Sequence, residues 1–413
     1  MNVTIRDPVL FTGTNGLQIK KEDRQMEREL PAQLSKSDRE VQESIEQAAE
    51  SVKAVMAGNF LLTLLISASL NQLLNMVHTQ QLIVMFPLFN VTLPANAGMF
   101  LSQMMTIAAF EVIDTKPFLN TVLALPHTDP LNSNFEAIGL ESRYFIHNLG
   151  TVALAYVLFV VSVAFSTLCR LCPTRKTKYF GEMRHRELFW GSLINLTTES
   201  FSILTISCMI NLRFLQWDAV NTTAMSLLTI VVMLLLLAYP FYYYWLLVKN
   251  FEILTFKEFW YKYSAFYSDL KLGNGTLVLM QPVWFLIRRF LISLMVVCLN
   301  TTVIWQIALM TMNVIVQVII LGRVAPFAHG RTNKFELFSE CMVMMVMYHL
   351  ICFTPFVPDL QIRFKLGYVL IAVISLHLVV SLGILAKDSY RSVRNKRRLR
   401  NAAKAHDKQR QEL

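Results

Sequence analysis

From Ala219 to Val248 the chain runs thirty residues without a charge, between Asp218 and Lys249. About twenty apolar residues cross the hydrocarbon layer of a bilayer, so this stretch is predicted to be a transmembrane helix. Its far end gathers Tyr239, Phe241, Tyr242, Tyr243, Tyr244 and Trp245, rings suited to the headgroup level. Pro240 is tolerated there because neighbouring helices satisfy the backbone groups it frees. The pattern recurs near 54–77, 144–168, 188–210, 283–299, 304–321, 337–357 and 366–386. Residues 82–113 fit less well. Pro87 and Pro94 interrupt LIVMFPLFNVTLPAN before AGMFLSQMMTIAAFEVI follows. That region is either a broken span or a re-entrant segment covered by protein. Residues 114–143 read as a polar loop with Pro and Asn turn signals.

The pattern therefore predicts an all-α, polytopic transmembrane helix bundle over 54–386, with nine spans, or eight if 82–113 is re-entrant. A hydrophilic segment, 1–53, precedes it and a basic tail, 387–413, follows. Within the first segment, Ser35–Val52 can form a helix with Val41, Ile45, Ala48 and Val52 on one face. Ser37 and Glu40 have capping-box spacing at its start.

Composition agrees with a membrane class. Residues are 54% hydrophobic and 16% charged, against about 25% charged in a soluble domain. Six cysteines in 413 residues make no disulfide scaffold. Cys208, Cys298, Cys341 and Cys352 lie in apolar runs, where free cysteine acts as a small hydrophobe. Met1 to Arg24 has no apolar core of signal-peptide type, so the first span itself is expected to direct insertion.

Charge orients the bundle. The tail holds ten Lys or Arg against Asp388, Asp407 and Glu412, or +7 of the chain's +10. A basic run directly after a span meets anionic lipid rather than nucleic acid. Arg170–Arg186 carries six basic residues, Lys249–Lys271 four and Gly322–Lys334 three. The alternate connections are poorer: 211–221 has only Arg213, 300–303 none, and 358–365 Arg363 and Lys365. The positive-inside rule puts the basic loops and the C-terminus in the cytosol. The sequons at Asn221 and Asn300 then fall outside. The Lys- and Arg-free loop at 78–96, with its sequon at Asn90, points to eight spans.

Ionisable groups inside spans cost roughly 2.5–3.5 kcal/mol each at a helix centre, so they mark candidate chemistry. Asn195, Glu199 and Ser202 share one helical face. They form either a cation or proton site facing the bundle interior, or a buried carboxylate bonded to a neighbouring helix. Ile194, Phe201 and Leu204, opposite, are expected to meet lipid. Arg288 and Arg289 stand near the cytosolic entry of their span. They either snorkel to headgroups or form an inter-helix salt bridge with Glu336 and Glu340, one turn apart at similar depth. His349 and His377, on the last two spans, are hydrogen-bonded packing or a proton relay. Cys352 follows His349 by three residues, too little to propose zinc. Cys169-Arg-Leu-Cys172 at a membrane edge suits S-palmitoylation or is a pair of inert thiols. No arginine recurs every third position, so no voltage sensor is expected.

The sequence contains no phosphate-cradling glycine loop, metalloprotease signature or nucleophile elbow. An enzyme is therefore not expected, nor a cofactor or metal site. Two readings remain: a channel- or transporter-like bundle, and a non-conducting membrane anchor or receptor module of a surface or adhesion protein.

Several stretches carry a resemblance over about 58–386: GNFLLTLLISASLNQLLNMVHTQQLIVMFPLFNVTLPANAGMF, NSNFEAIGLESRYFIHNLGT, FWGSLINLTTESFSILTISCMINL, FLIRRFLISL, ELFSE and MYHLICFTPFVPD. Together they resemble the C-terminal multi-pass module of very large ciliate surface proteins. That module is distantly similar to the fungal transient-receptor-potential-like family. The resemblance implies a long ectodomain of cadherin-like or cysteine-rich repeats, an external N-terminus, hence nine spans, and the plasma membrane. It also admits transport activity, homo-oligomers and surface-protein partners. This sequence departs from the family in having 53 polar residues where the ectodomain would stand, as a truncated product, a fragment or a solitary module would.

Overall fold

A computed structural model describes residues 82, 83, 85–108, 125, 126, 128–131, 133–137, 139–171, 174–186 and 192–412, together with 3, 4, 25, 26 and 43. The expected first span, 54–77, lies outside the described residues. Apart from a two-residue ladder pairing Val3–Thr4 with Gln25–Met26, the described regular structure is helical.

Among the described residues, eleven α-helices are delimited: α1 (Ala95–Ala108), α2 (Ser133–Ala137), α3 (Thr151–Leu171), α4 (Arg175–Arg186), α5 (Leu193–Arg213), α6 (Val220–Lys249), α7 (Lys257–Tyr267), α8 (Met280–Cys298), α9 (Val303–Val324), α10 (Gly330–Cys352) and α11 (Leu360–Glu412). Seven of the described helices, α3, α5, α6 and α8 to α11, are long and apolar enough to cross a membrane. The chain is an all-α, multi-pass membrane protein. The count of nine is not reached among these residues. α1 has 14 residues, about 21 Å of helix, short of the ~30 Å hydrocarbon layer.

Helix ends differ from the expected ones where turn chemistry intervenes. α10 stops at Cys352, not 357, because Pro355 disfavours helix at Thr354. α6 instead runs unbroken through Pro240. At its start Thr222 Oγ1 accepts from Ala219 N at 3.0 Å. α11 shows no break at the expected tail boundary and continues as one helix of 53 residues.

Packing puts α5 and α8 at the centre. α5 lies against α6 and α8, α9 against α10, and α10 against α11. The main core joins Ile206 and Met209 of α5, Ile292 and Val296 of α8, Met310 of α9, Val343 and Met347 of α10, and Leu370 and Ile374 of α11. The segment before α1 is folded into this core, with Ile83, Phe86 and Phe89 fully buried. α3, by contrast, leaves Val157, Val160, Val161, Phe165 and Leu168 more than half exposed, a lipid-facing surface. It pairs mainly with α4. The approach is close enough that a Cβ on Gly181 would lie 2.8 Å from Arg170 N and Ser166 O.

Candidate functional site

Two of the basic connections meet at one end of the bundle. There the loop after α7 is stitched to the loop after α9: Lys271 N donates to Pro326 O and Ala328 N to Asp269 O, both at 2.8 Å. An apolar base under this end is locked by tyrosines. Tyr267 on α7 donates to Leu254 O at 2.6 Å, and burial pushes its pKa up to about 12. It remains a donor at any physiological pH.

Above this base lies a cavity of about 190 Å³ between α5, α8, α9 and α10. Asn195, Glu199, Arg288, Arg289, Glu336 and Glu340 all line it. At 1.5 Å per residue, Glu199 and Glu336 sit about 9 Å from the starts of α5 and α10, and Arg288 and Glu340 about 12 and 15 Å along theirs. These charges therefore stand within the spans.

Arg288 and Glu340 form a two-pronged ion pair. One guanidinium nitrogen meets each carboxylate oxygen, the Nη2–Oε2 contact at 2.8 Å. Both residues are buried. The planar fork matches the carboxylate geometry, which adds direction to the Coulomb attraction. Arg289 turns to α5, where Nη1 donates to Thr198 O at 3.0 Å and Glu199 O at 3.4 Å. Its guanidinium lies 4.3 Å from the centre of the Phe285 ring, a cation–π contact. The Glu199 carboxylate acts electrostatically on Arg289. Neither arginine snorkels to headgroups; the structure buries both, because carboxylates and carbonyls are available inside.

The other sequence candidates are placed elsewhere. Ser202 is buried but does not line the cavity; its carbonyl accepts from Thr205 Oγ1 at 2.9 Å. Phe201 and Leu204, expected against lipid, are instead 0% and 6% exposed. α5 is surrounded, and Phe201 stacks on Tyr239 of α6. His349 is half-buried and pairs through Nδ1 with Met345 O of its own helix at 2.7 Å. His377 is fully buried, with Nε2 3.1 Å from Ser339 Oγ and its ring stacked on Phe335 and Phe338. Ser339 and His349 are ten residues apart on α10, about 15 Å of helix. The two histidines thus have separate partners and form no direct relay. Cys169 is a half-buried free thiol on α3; Cys172 lies outside the described residues.

Sequence reasoning missed Asp269, Gln281 and Gln317, which also line the cavity. Gln317 had a signal, being an amide deep in an apolar helix. Gln281 falls just before the expected span, and Asp269 in a loop whose fold depends on the distant Pro326 segment.

Family models, curated proteins and solved structures were compared with the chain, and none matches it.

Proposed function

We propose that this membrane protein is a channel- or transporter-like bundle that takes a small cation into the cavity at its basic end. One observation carries the reading. Four carboxylates (Glu199, Asp269, Glu336 and Glu340) line the cavity against two guanidinium groups. That is a formal excess of two negative charges on one cavity, and three of the four carboxylates stand within spans, where such groups are expensive and mark ion paths. A stripe on α9 supports it: Gln306, Met310, Asn313 and Gln317 share one buried face. This polar file leads about 16 Å from the cavity towards the opposite end. The basic end is cytosolic and the membrane is the plasma membrane on this reading, by the positive-inside rule and the likeness to ciliate surface modules.

The alternative is a non-conducting anchor, and the closed pairs favour it: Arg288 with Glu340, Thr205 Oγ1 2.8 Å from Ser293 Oγ, and Thr229 with Asn211. Cation flux into proteoliposomes separates the two. The wild type should conduct, and Glu199→Gln should change flux while leaving folding nearly intact. A folded wild-type protein with no flux would establish the anchor. Flux untouched by Glu199→Gln would remove this residue from the mechanism.

A further inference from the structure

Four polar atoms on residues lining this cavity are buried without a hydrogen-bond partner: Oε1 of Glu336, Gln281 and Gln317, and Nε of Arg288. Gln281 and Gln317 are 7% and 3% exposed, on α8 and α9, while Glu336 comes from α10. Buried acceptors are ordinarily paired, since an unmet one bears its full desolvation cost. Three on one cavity point to a ligand that brings donors.

The donor set is specific. A primary ammonium group has three N–H donors and no acceptor, matching three orphan oxygens, one of them carboxylate. Bonds from an ionised donor to a carboxylate are roughly twice as strong as neutral ones. Apolar side chains, Phe285, Leu286 and Ile292 among them, share the wall with these polar groups, so the cavity can hold a carbon body as well as a charged head. A cavity of about 150 Å³ accommodates benzene, so 190 Å³ suits a body of similar size or slightly larger. The Arg288 Nε–H then suits an acceptor such as a hydroxyl on that body.

Resting on the cation reading above, we propose that the cavity binds a small organic primary ammonium ion. Its head sits on Glu336, Gln281 and Gln317 and its carbon body against Phe285, Leu286 and Ile292. An alkali-metal ion would engage the same oxygens but leave the apolar wall and most of the volume without a role.

The test uses the full chain in nanodiscs of neutral phosphatidylcholine, with binding followed by calorimetry and thermal shift. Probes are cyclohexylamine and 2-aminoethanol as hydrochlorides. Cyclohexanol, tetramethylammonium chloride, NaCl and KCl serve as comparisons at equal ionic strength. The amines should bind saturably, and each comparison at least about tenfold more weakly, as loss of a charge-assisted hydrogen bond predicts. Gln281→Leu, Gln317→Leu and Glu336→Gln should each weaken amine binding by about tenfold or more, with ligand-free thermal transitions preserved. Gln317→Glu keeps the side-chain shape and should tighten binding, which guards against leucine variants that fail to fold. Absence of saturable amine binding overturns the proposal, as does binding indifferent to all these variants. An equal response to NaCl or KCl would assign an alkali-metal site instead and overturn the ammonium assignment. Flux is an independent arm. Amine binding without transport keeps this site and removes the transport reading; alkali-cation flux without amine binding does the reverse.

Discussion

Replacing Arg288 with methionine should destabilise the protein more than replacing its partner Glu340 with glutamine. Removing one member of a buried pair costs about 3–5 kcal/mol, because the other is left as an uncompensated charge. The structure makes the two sides unequal. Without Arg288, Glu340 faces Glu336, one turn away on the same helix face, so two carboxylates share a site and repel. Arg288→Met therefore belongs at the upper end, about 4–5 kcal/mol. In Glu340→Gln the amide oxygen still accepts from the guanidinium, and Glu336 remains nearby as a counter-charge. The cost should then be that of one charge-assisted bond, about 1.5–3 kcal/mol. The gap of about 2 kcal/mol is a factor of roughly thirty in the unfolding equilibrium. The double variant Arg288→Met/Glu340→Leu should recover most of the loss, since well-packed apolar pairs often replace buried ion pairs at little cost. Unfolding by SDS titrated into mixed micelles, followed by tryptophan fluorescence, measures all three against the wild type. Losses below about 1 kcal/mol for each single variant, as for exposed pairs, would refute the reasoning, and so would the reverse order.

Three further outcomes are expected. A Cβ at Gly367 would lie 2.8 Å from Asn96 Cγ, whose amide donates to Phe364 O at 2.9 Å; Gly367→Ala should cost about 1–3 kcal/mol by overpacking, and adding Asn96→Ala should relieve it in the same unfolding titration. His147, in the turn before α3, has its pKa lowered by burial. The unfolded chain therefore binds the extra proton first, and stability should fall as pH drops below about 6.5; a thermal-shift profile from pH 7 to 5 should be flatter in His147→Asn. Single cysteines at Lys178, Lys257 and Arg331 in a cysteine-free background should react with an impermeant maleimide only after cytosolic access is given, and reaction on intact cells would overturn the orientation.

The spans were legible because length without charge is a strong signal and needs no knowledge of neighbours. Which face of each span meets protein was not. In a soluble helix Phe201 and Leu204 would report burial by contrast with polar positions. In a bilayer both lipid and core are apolar, so the same residues fit either. Their burial follows from α5 being enclosed by other spans, which its sequence does not encode locally. The Arg288 and Glu340 pairing was open to inference because α8 and α10, as next-but-one spans, enter from the same end and equal depth follows from span order alone. The partners of His349 and His377 were not, since rotation of α10 against α11 decides whether their faces coincide. Gln317 carried an overlooked signal, as did Gln306 and Asn313 on the same helix. An amide in a long apolar run costs as a charged residue does, in kind if not in size, and deserved the same question about its partner.

The Pro-interrupted segment gains a physical role from this arrangement. Pro87 and Pro94 prevent a continuous helix, so backbone groups at 89–94 have to find partners outside a helical ladder. Asn90 N donates to Gln306 Oε1 at 3.2 Å, and Gln306 Nε2 donates to Met295 O at 3.3 Å. Gln306 is fully buried and stands at the far end of the α9 stripe from Gln317. The same side chain thus satisfies the broken backbone and closes the polar file away from the cavity. On the transport reading, access from the opposite end requires these two hydrogen bonds to part. Access from the basic end reaches Glu199 and Glu336 without disturbing them. The two ends of the bundle are therefore unequal in what must break.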